Sequence, residues 1–138
     1  MNRSSSSMPL WQTAGLTLIR MTLAIFMIYH GWEVFSKSDM DKYLQWDMFK
    51  NSSGKILVYM GKGAEFVGGI LLFFGLFTRI AAVILIGTMS YITFFVGKGR
   101  IWLPDEQYPF LFVLLAMVFL FIGGGRWSLD HLIFKKQN

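Results

Sequence analysis

Long apolar stretches separated by short polar ones organise this chain. A helix rises 1.5 Å per residue, so about 20 residues cross the hydrocarbon of a bilayer, and four stretches reach that length at about 11–35, 56–77, 80–97 and 108–125. The first, centred on LTLIRMTLAIFMIYHGW, carries Arg20, His30 and Glu33. The second holds Lys62 and Glu65 in its first half and the uncharged run FVGGILLFFGLF in its second, while the third and fourth contain no charged residue. The pattern predicts an all-α integral membrane protein, a four-transmembrane-helix bundle forming a single domain over 11–134, between a polar N-terminal tail at 1–10 and a basic C-terminal tail at 135–138.

The connections sharpen this picture. Only Thr78-Arg79 separates the second span from the third, which predicts a tight antiparallel hairpin. The segment from Ser36 to Lys55 repeats Met40, Tyr43/Leu44, Trp46 and Phe49 at helical spacing among charged residues. It predicts a short interfacial amphipathic helix started by Ser38 and Asp41, with an irregular loop as the alternative. Trp11, Trp32, Trp102, Tyr108 and Trp127 fall near span ends, where amphipathic rings anchor.

Four spans place both termini on one side. Arg3, Arg79, Arg126, Lys135 and Lys136 share it, against Lys37, Lys42, Lys50, Lys55, Lys98 and Arg100 on the other, a division that does not orient the chain by basic residues alone. Asp39, Asp41, Asp47, Asp105 and Glu106 accompany the second set, so net charge points to cytoplasmic termini in a bacterial inner membrane.

Composition narrows the function classes. With 54% hydrophobic and 15% charged residues, the chain lacks the polar surface a small soluble domain needs. The net charge of +5 is scattered, without a basic run interleaved with stacking aromatics, which argues against nucleic acid. Absence of cysteine excludes disulfides, thiol relays, Cys-ligated clusters and C-x-x-C-H haem attachment. His30 and His131 lie in separate regions and suggest no metal site, and the methionines are unclustered. Any redox role would therefore use electrons from a partner.

The candidate chemistry lies in the polar residues of the spans. Each ionised group in hydrocarbon costs at least about 2.5 kcal/mol, so such groups turn inward and pair. Measured from the loop joining spans one and two, Glu65 lies about 15 Å down its helix and Arg20 about 22 Å down, an offset an arginine can bridge. His30, Glu33 and Lys62 lie nearer that surface, and Tyr91 of the third span is at comparable depth. One reading makes Arg20 and Lys62 the structural counter-ions of Glu65 and Glu33. Another makes the same group a headgroup or proton site, with Glu65 as acceptor, His30 titrating near neutral pH and Arg20 holding an anionic oxygen. An ion or solute pathway is a third.

Three segments stand out: Leu18-Ile19-Arg20 with His30-Gly31; Gly63 to Leu72 continuing through Gly75-Leu76-Phe77-Thr78-Arg79-Ile80-Ala81-Ala82; and Tyr108-Pro109 opening the last span, with Gly123-Gly124-Gly125-Arg126-Trp127-Ser128-Leu129-Asp130 closing it. Together they resemble the DoxX-like family of small four-helix membrane proteins. In the last segment, Arg126 and Asp130 would pair if the exit were helical, with Trp127 as an anchor. Many relatives carry lysine where this chain has Val34, and Lys62 is a candidate for restoring that charge from the facing helix. The resemblance implies a redox-associated, quinone-linked subunit of an oxidoreductase system, bound among other membrane subunits or to its own copies. It equally admits a non-enzymatic scaffold or assembly factor, since the family includes both kinds. No covalent cofactor is implied; a quinone is the candidate ligand.

Overall fold

The computed structural model describes residues 8–135; most of both tails, with Arg3 and Lys136, lies outside the described residues. Among the described residues there is no strand. Helix α1 (Leu10–Trp32) is prolonged by a 3-10 turn at Glu33–Phe35, and α2 (Lys37–Leu44) follows. The others are α3 (Ser52–Phe74), α4 (Thr78–Tyr91) widening into a π turn at Ile92–Val96, α5 (Pro104–Ile122) and α6 (Leu129–Phe134). Four are long and apolar enough to cross a membrane: Leu10–Phe35, Ser52–Phe74, Thr78–Val96 and Pro104–Ile122.

The local chemistry of the chain sets these limits. Helix α2 starts two residues earlier than the Ser38–Asp41 expectation because Ser36 takes the cap, its Oγ accepting the Asp39 N–H at 3.4 Å. Asn51 caps α3 in the same way, accepting from the Gly54 N–H at 2.7 Å. The hairpin between the second and third spans turns at Gly75-Leu76-Phe77, before the expected Thr78-Arg79. Gly75 takes the left-handed conformation at φ +66 that ends α3, leaving Thr78 free to open α4. Pro104, rather than Tyr108-Pro109, opens the last span: at its first position the missing N–H costs nothing. Pro109 therefore sits inside α5.

Helix α3 is flanked by α1 and α4, α5 packs on α4, and α1 meets α5 only lightly. Leu23, Ala24 and Met27 of α1, Leu72 of α3, Leu85 of α4 and Ala116 and Phe119 of α5 form the main core. A smaller cluster of Met40, Phe49 and Val58 seals the end beneath α2. The polar residues of the spans lie between and below these two apolar layers.

Candidate functional site: the Lys62 pocket

The site begins with a register. Gly31 of α1 passes so close to the backbone of Phe66 in α3 that a Cβ has no room. This contact sets Glu33 beside the turn of α3 that carries Lys62 and Glu65. Lys62 Nζ lies 2.8 Å from Glu33 Oε2 and 3.2 Å from Glu65 Oε2, and donates to the His30 backbone carbonyl at 3.4 Å. Those three acceptors match the three N–H bonds of an ammonium. The lysine side chain is only 11% exposed and that of Glu65 only 2%, so the group is held away from solvent.

Helix α2 adds a residue that sequence reasoning missed as part of the site. The Tyr43 hydroxyl donates to Glu33 Oε2 at 2.7 Å, and its ring lies 4.8 Å from Lys62 Nζ, within cation–π range. Burial, reinforced by the bond to the Glu33 carboxylate, holds its phenol above the ordinary range. Tyr43, Glu33, Lys62 and Glu65 thus make one hydrogen-bonded chain from the end of the bundle to a buried carboxylate. Tyr43 had been legible only as one position of an apolar stripe.

Beside this chain lies a cavity of about 670 Å³. Its walls come from every spanning helix: His30 from α1; Lys62, Glu65 and the small residues Gly61 and Ala64 from α3; Thr88, Met89 and Tyr91 from α4; and Tyr108, Pro109 and Phe112 from α5. Trp46 and Phe49, with Asp105 and Glu106 in the first turn of α5, frame its polar end. Arg100 Nη2 meets Glu106 Oε1 at 3.2 Å. The π turn of α4 contributes Ile92 and Val96, and its widened backbone is a common device beside functional sites. Tyr91 stacks on Phe95, ring centroids 5.0 Å apart, and lines the wall. His30 presents its ring to Phe112 at 6.4 Å, while only its carbonyl meets Lys62. Among the described residues no group of three His, Cys, Asp or Glu side chains could hold a metal ion.

Arg20 belongs elsewhere, which corrects the expected bridge to Glu65. Its guanidinium packs against Gly75, ten residues along α3 from Glu65 and so roughly 15 Å away along the axis. The expected offset was smaller because it measured both helices from a common loop. In the structure the Gly31–Phe66 contact makes α3 overrun the end of α1. Arg20 is 2% exposed; Nη2 donates to the Trp127 carbonyl at 2.7 Å, and Nε and Nη1 have no hydrogen-bond partner among the described residues. Asp130 accepts the Phe77 N–H at 2.6 Å and the Thr78 N–H at 2.8 Å. The expected Arg126–Asp130 pair does not form, because Gly123 to Ser128 is not helical and α4's first N–H groups take the carboxylate. Arg79 Nη2 reaches the Phe121 carbonyl at 3.4 Å, tying α4 to the end of α5.

The DoxX family model matches residues 15–98. The chain belongs to the DoxX family. Like other DoxX proteins it is an integral membrane protein. The matched segment contains Arg20, His30, Glu33, Lys62, Glu65 and Tyr91, and leaves Arg126 to Asp130 outside it. Among curated relatives, an "Uncharacterized protein" of Haemophilus influenzae is 34% identical over 127 residues, covering 88% of this chain and 92% of the relative. A Bacillus subtilis protein named "Putative oxidoreductase CatD" is 30% identical over 128 residues, covering 90% of this DoxX chain and 91% of that one. No solved structure matches.

Proposed function

We propose that this DoxX protein is a quinone-linked subunit of a membrane oxidoreductase system, with the Lys62 pocket as its headgroup site. The observation that carries the reading is an apolar cavity of about 670 Å³ whose wall combines a buried carboxylate, Glu65, with a buried ammonium, Lys62. A cavity of this size suits a drug-sized ring. Reducing a quinone to a quinol takes two electrons and two protons. A partner subunit supplies the electrons, since the chain has no cysteine and no cluster of metal ligands among its described residues. The hydrogen-bonded chain from Tyr43 to Glu65, together with Asp105 and Glu106 at the polar end, supplies groups that can carry protons. Arg20, buried by the exit loop, is not part of this site. The name of the Bacillus subtilis relative agrees with the redox direction.

Binding tests the reading. Purified protein in detergent is expected to bind a ubiquinone or menaquinone headgroup analogue saturably, read by tryptophan fluorescence. Glu65→Gln keeps the shape but removes the charge that orients Lys62, and is expected to weaken binding roughly tenfold. Failure of the wild-type protein to bind either analogue overturns it.

In this reading the chain lies in the bacterial inner membrane with both termini in the cytoplasm, so that Arg79, Arg126 and Lys135 are inside and the acidic pocket end is outside. The cysteine-free sequence makes this easy to check. In intact cells, Gln45→Cys is expected to react with a membrane-impermeant maleimide and Arg126→Cys only after lysis; the reverse pattern inverts the topology.

A second reading has its own support. The three hydrogen bonds of Lys62 are all taken within the protein, as in a cluster that only locks helices together. This favours an accessory or assembly subunit, for which Glu65→Gln would lower stability and recovery of co-purifying subunits in parallel and leave quinone affinity without effect.

A further inference from the structure

We infer that the pocket takes a long-chain amphiphile whose tail enters and lies sideways between α3 and α4, with Gly61 and Gly87 keeping that passage open. The inference rests on the headgroup reading above and names the part of the ligand that the reading leaves unassigned.

The two helices touch lower in the bundle, where a Cβ at Gly68 would meet Leu85 Cδ2 at 3.0 Å. Because they run antiparallel, Ala64 then faces the level of Met89, and Gly61 that of Ile92. Along this stretch the helices do not close. A Cβ at Gly61 or at Gly87 would meet nothing within 4 Å. Close packing therefore explains neither glycine, although each lowers helix propensity by roughly 1 kcal/mol against alanine. Both line the same cavity as Glu65 and Lys62. So do Leu57 and Met60, which are 46% and 66% exposed, so the cavity wall runs out to the lateral face of the bundle.

That face lies within two spanning helices, where the surroundings are acyl chains rather than water. Thr88 on the α4 side spends its hydroxyl proton on the Ile84 carbonyl at 2.9 Å, and the Tyr91 ring on the same wall is stacked on Phe95. The passage therefore suits hydrocarbon. The cavity is large enough for a ring and the start of a tail, and the remainder of a long isoprenoid or alkyl chain needs an exit. The opposite end, framed by Trp46, Asp105 and Glu106, carries charge that a hydrocarbon tail would have to desolvate.

The experiment uses the full chain in lipid nanodiscs and two probes: a benzoquinone headgroup without a tail, and the same ring with a decyl chain. Gly61→Leu and Gly87→Leu, which enter open space and should keep the wild-type melting temperature, are expected to weaken decyl-quinone binding roughly tenfold. Binding of the tail-less ring should weaken by a markedly smaller factor, because both glycines line the shared cavity but only the decyl chain has to pass between the helices. Equal weakening of both probes, or of neither, overturns the lateral passage. A second measurement separates this from failure of the quinone reading itself: a bilayer phospholipid carrying a diazirine on its acyl chain. It is expected to label Met89 and Ile92 on the inner wall, and to lose that labelling in Gly61→Leu. Labelling without any quinone binding rejects the quinone and keeps the passage; no labelling of the inner wall in the wild type rejects the passage.

Discussion

Replacing Lys62 with methionine is expected to destabilise the protein by about 3–5 kcal/mol, the cost of breaking a buried ion pair from one side. Methionine fills much of the same volume, so loss of packing is minor. What remains is two carboxylates, Glu33 and Glu65, which share Lys62 at 2.8 and 3.2 Å and have no other cation beside them among the described residues. The Tyr43 hydroxyl still serves Glu33, whereas Glu65, almost fully buried, loses the one hydrogen-bond donor it has among the described residues. The measurement is reversible unfolding in mixed micelles titrated with a denaturing detergent. The double variant Lys62→Met, Glu65→Gln should recover most of the loss, because a neutral amide replaces the uncompensated buried charge. A single variant as stable as wild type would mean that lipid or water already neutralises the carboxylates, and would remove the argument that Lys62 organises the pocket.

Which parts of this arrangement were legible follows from what each depends on. The four spans were legible because a backbone in hydrocarbon must satisfy its own hydrogen bonds, and four apolar stretches leave helices as the solution. The pairing of Lys62 with Glu65 was legible because residues three apart share a helix face. The partner of Arg20 was not. Depth counted from a loop assumes that two helices end at the same level, and here Gly31 against Phe66 displaces α3 along α1. The role of Asp130 was hidden similarly. Its spacing from Arg126 suggested a helical pair, but three consecutive glycines, two with positive φ at Gly123 and Gly125, keep the exit extended and carry Asp130 to the exposed N–H groups of α4. Tyr43 escaped notice because a stripe of apolar positions says which face is buried and nothing about where a hydroxyl at its edge will reach.

The opposite end of the bundle is expected to be as sensitive as the pocket, through a residue without a side chain. Gly75→Ala should cost about 2–4 kcal/mol, combining the penalty of a left-handed conformation for an L-residue with that of overpacking. Gly75 sits at φ +66, and a Cβ there would collide with Arg20 Nη1 and with Ser128 Cβ. Neither neighbour is free to retreat. Arg20 is wedged at 2% exposure and bonded to the Trp127 carbonyl at 2.7 Å; Ser128, 5% exposed, caps α6 by accepting the His131 N–H at 3.2 Å. The Gly75 carbonyl itself accepts the Asp130 N–H at 2.9 Å, so a displaced turn also pulls Asp130 from the start of α4. The expected signature is local before it is global: limited proteolysis should cut between Trp127 and Phe134 in Gly75→Ala at temperatures where the spanning helices remain folded. Arg20→Met in the same chain, by removing the colliding guanidinium, should restore part of the loss while leaving the conformational penalty in place. Equal destabilisation with and without Arg20 would show that φ alone limits the position, and that the arginine does not hold the exit loop against the hairpin.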